Sequence, residues 1–277
     1  FAEEQLEILT LLANMAAVKI TNARLLEAEQ GRARLAQELT TATRIQQGLL
    51  PVSPPPVPGY ALDGFLETCY EVGGDLYDFR VRADGKVVFL VGDVSGKGMG
   101  AALLMSSFLS SARVLYETCT DLAEFARRLN DVMFRSSDES RFVTAFIGCL
   151  DPATGQVEYV NGGHNAPLLV SGGAIREIEA TGVPFGILED APYVSGRFEM
   201  PPGALLAVFS DGIPEAQHGD AFFEDARLQS LLQDPAAPSD VAALRERIVG
   251  DVLAFVGDSP RSDDITLLLV RRENATA

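Results

Sequence analysis

The chain has 277 residues, 47% apolar and 22% charged, and its 39 acidic against 22 basic side chains give a formal net charge of −17. Such a chain is too apolar for intrinsic disorder and long enough to bury one sizeable core beside an appendage. Its negative charge repels nucleic-acid backbones and anionic membranes, which argues against both as partners. Cys69, Cys119 and Cys149 stand singly in apolar contexts; that is neither a zinc pattern nor a disulfide framework, and it reads as the reduced thiols of a cytoplasmic protein. No apolar run approaches the roughly 20 residues needed to span a bilayer. The start, at Phe1 rather than Met, has no basic region or cleavage site and reads as the beginning of a segment of a longer protein.

Residues 1–50 read as a helical linker. Ile8, Leu11, Met15, Val18, Asn22 and Leu25 recur at spacings of three and four, and Leu35, Leu39, Ala42 and Leu49 nearly continue the pattern. Gly31 leaves open two helices or one bent helix, the latter on the order of 70 Å long at 1.5 Å per residue. Residues 32–50 suit equally a helix packed on its own domain and one strand of a parallel dimer stalk. The stretch PVSPPPVP, residues 51–58, cannot be helical, because proline lacks the amide and constrains the residue before it. It marks a boundary, with a domain over 59–272 and a tail over 273–277. Within the domain, strands are expected at 61–66, 87–91, 143–150, 157–160, 167–170, 204–209 and 265–270. Helices are expected at about 100–116, 122–135, 225–232 and 239–256. Strands in series with helices inserted as pairs favour an α+β fold over a doubly wound parallel sheet.

The stretch GDVSGKG, from Gly92 to Gly98, follows one of these apolar runs. A phosphate loop needs four residues between its first glycine and the Gly-Lys pair, then Ser or Thr after the lysine. Here three intervene and Gly98 follows Lys97, so the glycines have another purpose. Asp93 ends a buried strand, where a carboxylate is costly without partners, and the nearby glycines permit close backbone approach. Asp75 in VGGDLYDF, Asp211 in FSDG, and Asp263 and Asp264 in SDDITLLLV occupy matching strand ends. Any one alone reads as a turn residue or helix cap. If they converge, two carboxylates about 4 Å apart repel by roughly 4 kcal/mol at an effective dielectric of 20, so cations must join them. An oxygen-only ligand set suits magnesium or manganese rather than zinc. Two such ions a few Å apart generate a hydroxide and clamp a phosphoryl oxygen, which is hydrolysis of a phosphoester.

Seven blocks carry a family resemblance: IQQGLLP (Ile45 to Pro51), VGGDLYDF (Val72 to Phe79), GDVSGKGMGAAL (Gly92 to Leu103), VTAFIGCLD (Val143 to Asp151), NGGHNAPLL (Asn161 to Leu169), FSDGIPEA (Phe209 to Ala216) and DDITLLLV (Asp263 to Val270). In this order, over about residues 42–271, they resemble the metal-dependent protein phosphatases (PPM, type 2C-like), in the bacterial branch typified by SpoIIE and RsbU. The resemblance implies a four-layer αββα sandwich of two antiparallel sheets flanked by helix pairs, here with an N-terminal helical extension. It also implies serine/threonine phosphatase activity with two Mn2+ or Mg2+ ions, most often on a phosphorylated anti-sigma-factor antagonist of the STAS type. Carried over by motif, Asp93 bridges both ions, Asp75 binds the second, and Asp211 and Asp263 bind the first. The Val94 carbonyl is a further ligand. Asp264 stands where eukaryotic relatives carry asparagine and falls behind the ligands. The histidine that the eukaryotic branch places shortly after the bridging aspartate is missing, Ser95 and Gly96 standing there. No arginine early in the domain offers to grip phosphate, so the general acid and the phosphate anchor are unassigned.

His164 is placed either to protonate a leaving group or to pin a hairpin, and its flanking glycines and Asn-Ala-Pro turn suit the second role better. His218 reads as a surface residue, Pro184-Phe185-Gly186 as a packed turn, and Lys97 as either a phosphate contact or a solvated loop lysine. The stretch FAEEQLEILTLLANMAAVKITNARLLEAE resembles the closing helix of a GAF sensor domain with its exit helix. That resemblance makes residues 33–50 a coupling element and implies a homodimer through the N-terminal helix. The alternative from another class is a regulatory dimeric binding module with the phosphatase fold and weak or switched-off activity.

Overall fold

The computed structural model describes residues 3–136 and 141–274; residues 275–277 of the expected tail lie outside them. The chain divides into two compact units, Phe1–Ile45 and Gln46–Ala277. The first is helical throughout its described residues. Helix α1 (Glu3–Leu49) is continuous over 47 residues, so Gly31 does not break it; its cost of about 1 kcal/mol relative to alanine is small against the run of Ala, Leu, Glu, Arg and Gln around it. Ile8, Leu11, Met15, Val18 and Leu25 are each more than half exposed.

In the second unit β1 (Tyr60–Glu67), β2 (Leu76–Val81) and β3 (Val87–Val94) precede a helix pair, α2 (Met99–Thr118) and α3 (Leu122–Ser136). Five strands follow: β4 (Val143–Leu150), β5 (Gln156–Gly162), β6 (Leu168–Ser171), β7 (Ala174–Glu177) and β8 (Gly196–Glu199). Then come β9 (Leu205–Phe209), a small hairpin of β10 (Gln217–His218) and β11 (Ala221–Phe222), a second helix pair of α4 (Asp225–Gln233) and α5 (Val241–Val256), and β12 (Ile265–Arg272). Two antiparallel five-stranded sheets result, β1-β12-β9-β6-β7 and β2-β3-β4-β5-β8.

Side-chain alternation assigns the strands to three stacked cores. Val88 and Leu90 of β3 pack with Met105, Phe108 and Leu129 of α2 and α3. Phe89 and Val91, on the opposite face, meet Leu206, Val208 and Leu268 of the other sheet. Leu205, Ala207 and Phe209 turn outward onto Leu228, Leu244 and Ile248 of α4 and α5. Four layers in the order helices, sheet, sheet, helices follow, and β9 is apolar at every position because both its faces are covered.

The strands that the sequence pattern did not reveal include β2, β7 and β8, all sheet edges. Each of β7 and β8 buries little, and β2 carries Asp78, whose buried carboxylate receives two 2.8 Å hydrogen bonds from Arg113 of α2. One expectation needs correction. Helix α2, with 20 residues and a mean hydropathy of 1.2, is long and apolar enough by length and composition to cross a bilayer, and 44% of that stretch is buried within the fold. Its apolar content is explained by the core between α2, α3 and the sheet.

Asn130 of α3 ties this core together. Its Nδ2 donates to the Leu188 carbonyl at 2.9 Å, and its Oδ1 accepts from the Gly186 amide at 2.9 Å and the Tyr193 hydroxyl at 3.2 Å. Beside it Phe185, fully buried, stacks on Tyr193 at 4.9 Å, so the Pro184-Phe185-Gly186 turn is packed. Asn130→Ala should therefore destabilise the domain by about 1–3 kcal/mol for each buried group left unpaired, read as a lowered midpoint in urea unfolding.

Candidate metal centre

The register of the β2–β3 pair sets Leu76 opposite Gly92; one step further along the same register sets Asp75 opposite Asp93, on one face. From the other sheet, Phe209 of β9 lies opposite Leu267 of β12, and the next pair is Ser210 with Thr266, joined by two 3.1 Å hydrogen bonds. Asp211 follows Ser210, and Asp263 and Asp264 lead into β12. The same end of both sheets thus ends in acids. Thr266 bridges the gap by donating its hydroxyl proton to the Asp75 carboxylate.

Asp264 is used up by backbone. Its Oδ1 accepts the Cys69 amide at 2.7 Å, and its Oδ2 accepts the Gly74 amide at 2.9 Å and the Asp75 amide at 3.4 Å. It fixes the loop that delivers Asp75, behind the candidate ligands. The glycines of VGGD make that loop possible: a Cβ at Gly73 would strike the Asp264 carboxyl, and one at Gly74 would stand 2.8 Å from the Val94 carbonyl oxygen. Gln46, buried at the end of α1, grips the loop from the other side. Its Nε2 donates to the Gly73 carbonyl at 2.6 Å and its Oε1 accepts the Gly73 amide at 3.1 Å. Sequence reasoning assigned no role to Gln46 or Thr266; Gln46 was visible only as part of IQQGLLP.

His164 is 5% exposed. Its backbone amide and carbonyl are both held by the Asn161 side chain, and its Nδ1 lies 3.0 Å from the Thr144 hydroxyl, on the residue paired with Asp93. Burial lowers its pKa to about 4, so the ring is neutral near pH 7 and carries no imidazolium proton to give. This geometry matches the hairpin-pinning role. His218 is exposed and contacts the Val256 carbonyl.

The acids perturb one another in sequence. Burial, then the Asp93 and Asp264 charges, hold the Asp75 carboxyl well above its ordinary range. Burial, then the Asp211 charge, raises Asp93 to about 7 even though a hydrogen bond from Asp75 pulls it down. Burial, then Asp263, raises Asp211 to about 6. Lys97 lies 2.8 Å from Asp263 Oδ2 and also donates to the Ser262 carbonyl; burial lowers its pKa, but the hydrogen bond and charge of Asp263, with Cys69 and Tyr70, together raise it.

Among the described residues, no three Asp, Glu, His or Cys side chains gather closely enough to hold an ion by themselves. The acids meet pairwise, and the Val94 carbonyl adds a neutral oxygen beside Gly74. Magnesium keeps several of its waters and is held through one or two carboxylates, so this oxygen-only set fits such an ion. Zinc would need the nitrogen or sulfur ligands that His164 and Cys69, engaged elsewhere, do not supply.

Comparison with known proteins shows the family. A family model described as stage II sporulation protein E (SpoIIE) matches residues 83–273. The chain belongs to the SpoIIE family. It is 27% identical to Protein IcfG of Synechocystis over 276 residues, covering 89% of this chain and 43% of that protein. It is also 27% identical to the phosphoserine phosphatase RsbU of Bacillus subtilis over 241 residues, covering 86% of this chain and 71% of RsbU. Its fold matches the SiaA-PP2C domain of Pseudomonas aeruginosa with a TM-score of 0.76 at 22% identity, over 87% of this chain and 98% of that one. RsbX, solved in complex with magnesium, matches with a TM-score of 0.57 at 17% identity over 76% of this chain and 94% of that one.

Two outcomes follow for this SpoIIE-family domain. In the metal-free protein Asp75, Asp93 and Asp211 stay protonated at pH values where the unfolded chain has already released its protons. Their contribution is complete below about pH 4 and is lost as the pH rises through 6 to 7. With a chelator present, the melting temperature should fall between about pH 5 and pH 8, and manganese should restore it while sodium at equal ionic strength should not. A flat or rising profile in chelator contradicts the crowding. Gln46→Ala leaves both Gly73 backbone groups unpaired and should cost about 1–3 kcal/mol, accompanied by weaker manganese binding in calorimetry.

Proposed function

We propose that this chain is a metal-dependent serine/threonine protein phosphatase, hydrolysing phosphoserine or phosphothreonine on a partner protein. The observation that supports the reading is that Asp75 and Asp93 at the end of one sheet and Asp211 and Asp263 at the end of the other feel one another's charge, which with burial drives the carboxyls of the first three upward. Two Mn2+ or Mg2+ ions, when bound, supply a water activated at neutral pH and neutralise phosphoryl charge. Asp93 would serve both ions, Asp75 and the Val94 carbonyl would serve one, and Asp211 and Asp263 would serve the other, as the family resemblance implies. Asp264 and Gln46 hold the loop of Asp75, and Thr144 and His164 hold the strand of Asp93. The names of RsbU and its relative RsbP, both phosphoserine phosphatases, support the substrate class.

The proposed substrate is a phosphorylated STAS-domain protein in the cytoplasm. The proposed assembly is a homodimer through α1, whose apolar side chains stand uncovered in the single chain, with residues 33–50 as the coupling element from a GAF-like sensor. The alternative, a dimeric binding module with weak or switched-off activity, predicts no hydrolysis of p-nitrophenyl phosphate at any manganese concentration. The phosphatase reading predicts manganese-dependent turnover. Asp93→Asn should cut kcat on the order of 1,000-fold, about 4 kcal/mol of transition-state stabilisation. The metal-free melting temperature should stay unchanged or rise, because one repelling charge is gone. Steady-state kinetics and a melting curve on the same preparation check both; undiminished kcat refutes the assignment.

A further inference from the structure

The Lys97 loop holds a feature that the phosphatase reading does not use. Asp263 has two carboxylate oxygens. Oδ1 accepts the Asp264 amide at 2.9 Å, so Oδ2 is the oxygen left for an ion, and the Lys97 ammonium lies on it at 2.8 Å. Arg261, the other cation that acts on this corner through Cys69, is committed to Glu67 at 3.0 Å and to the Thr68 carbonyl at 3.0 Å.

The Lys97 ammonium also donates to the Ser262 carbonyl, and the backbone that carries it is exposed at Gly96 and Lys97. Gly96 and Gly98 flank the lysine with φ of +90° and +76°, the left-handed region that glycine enters freely. A Cβ at either position would meet nothing within 4 Å, so the space beside Lys97 is open, while Ser95 on one side is held to Phe142. The Lys97 and Asp263 side chains are 44% and 37% exposed, and an ion pair of that exposure is weak.

We infer that Lys97 is an internal counter-cation: it competes with a divalent ion for Asp263 Oδ2 and, once displaced, turns its ammonium to the phosphoryl group, serving as the phosphate anchor the sequence does not otherwise supply. The inference rests on the metal-dependent reading above. A divalent ion held by Asp263 would compete with the ammonium for the same oxygen and repel it. The long lysine side chain between two glycines could then turn, and the dianionic phosphoryl group of a substrate held by that ion would offer it a new negative charge.

The test is calorimetric titration of manganese into the full chain as wild type, Lys97→Met and Lys97→Arg, with melting curves to verify folding. Methionine keeps the stem and removes the charge; arginine keeps the charge. Lys97→Met should tighten the weaker manganese site roughly two- to five-fold, the worth of an exposed ion pair, while Lys97→Arg should stay within the wild-type range. With manganese saturating, inorganic phosphate should inhibit hydrolysis of p-nitrophenyl phosphate by Lys97→Met several-fold less strongly than hydrolysis by wild type. Unchanged or weaker manganese binding in Lys97→Met overturns the competition, and an unchanged inhibition constant overturns the anchor. A wild-type protein that binds no manganese and hydrolyses nothing would instead remove the phosphatase reading beneath it.

Discussion

Repulsion between carboxylates organises this molecule's functional end. Asp75 is buried and Asp93 and Asp211 are half-buried, the Asp93 charge raises the proton affinity of Asp75 and the Asp211 charge that of Asp93, and a hydrophobic sandwich forces them together. The cost is electrostatic and local, whereas the three apolar cores that impose it extend across the whole domain. A fold of this size can hold such a cluster because the burial that drives folding is distributed and the strain is not. Hard cations of high charge would relieve this unfavourable contact better than monovalent ones.

Bringing the acids together is a backbone problem as much as a side-chain one. The loop before β2 must pass close enough to β3 for Asp75 to continue the register, which is why Gly73 and Gly74 carry no side chain: any would collide with Asp264 or the Val94 carbonyl. Asp264 accepts three amides along that loop, and Thr266 satisfies Asp75 from the opposite sheet. The adjacent acids of SDDITLLLV therefore act differently. One faces the charge cluster with Lys97 upon it, and the other is spent on holding its neighbours in place.

The central strands were legible because burial on both faces writes an unbroken apolar run, as in β9 and β12, and burial on one writes a period of two. The edge strands β7 and β8 write neither: Ala-Ile-Arg-Glu and Gly-Arg-Phe-Glu carry too few apolar residues for any pattern to emerge. The aspartates of the site were legible from a single regularity, an acid at the end of a buried run. Gln46, Thr266 and the holding role of Asp264 were not, because their meaning lies in hydrogen bonds to residues 27, 191 and up to 195 positions away, and such pairings leave no periodic trace in a sequence. The continuity of α1 through Gly31 was equally beyond local reading, since one glycine's cost is decided by the helix formers on both sides.

Gln46 gives the end of α1 a direct stake in the site. It is a neutral side chain, so it adds nothing to the charge cluster. What it contributes is the position of the Gly73 peptide, two residues before Asp75, through one bond to the carbonyl and one from the amide. A rotation of the last helical turn would break both bonds together, because donor and acceptor belong to one planar amide. The loop backbone would then be held by Asp264, an acid whose own charge already opposes Asp75, with Thr266 still bonded to the Asp75 carboxylate. Asp75 thus depends on a neutral clamp on one side and a charged one on the other, and the neutral clamp is the one that can be withdrawn without exposing an unpaired charge.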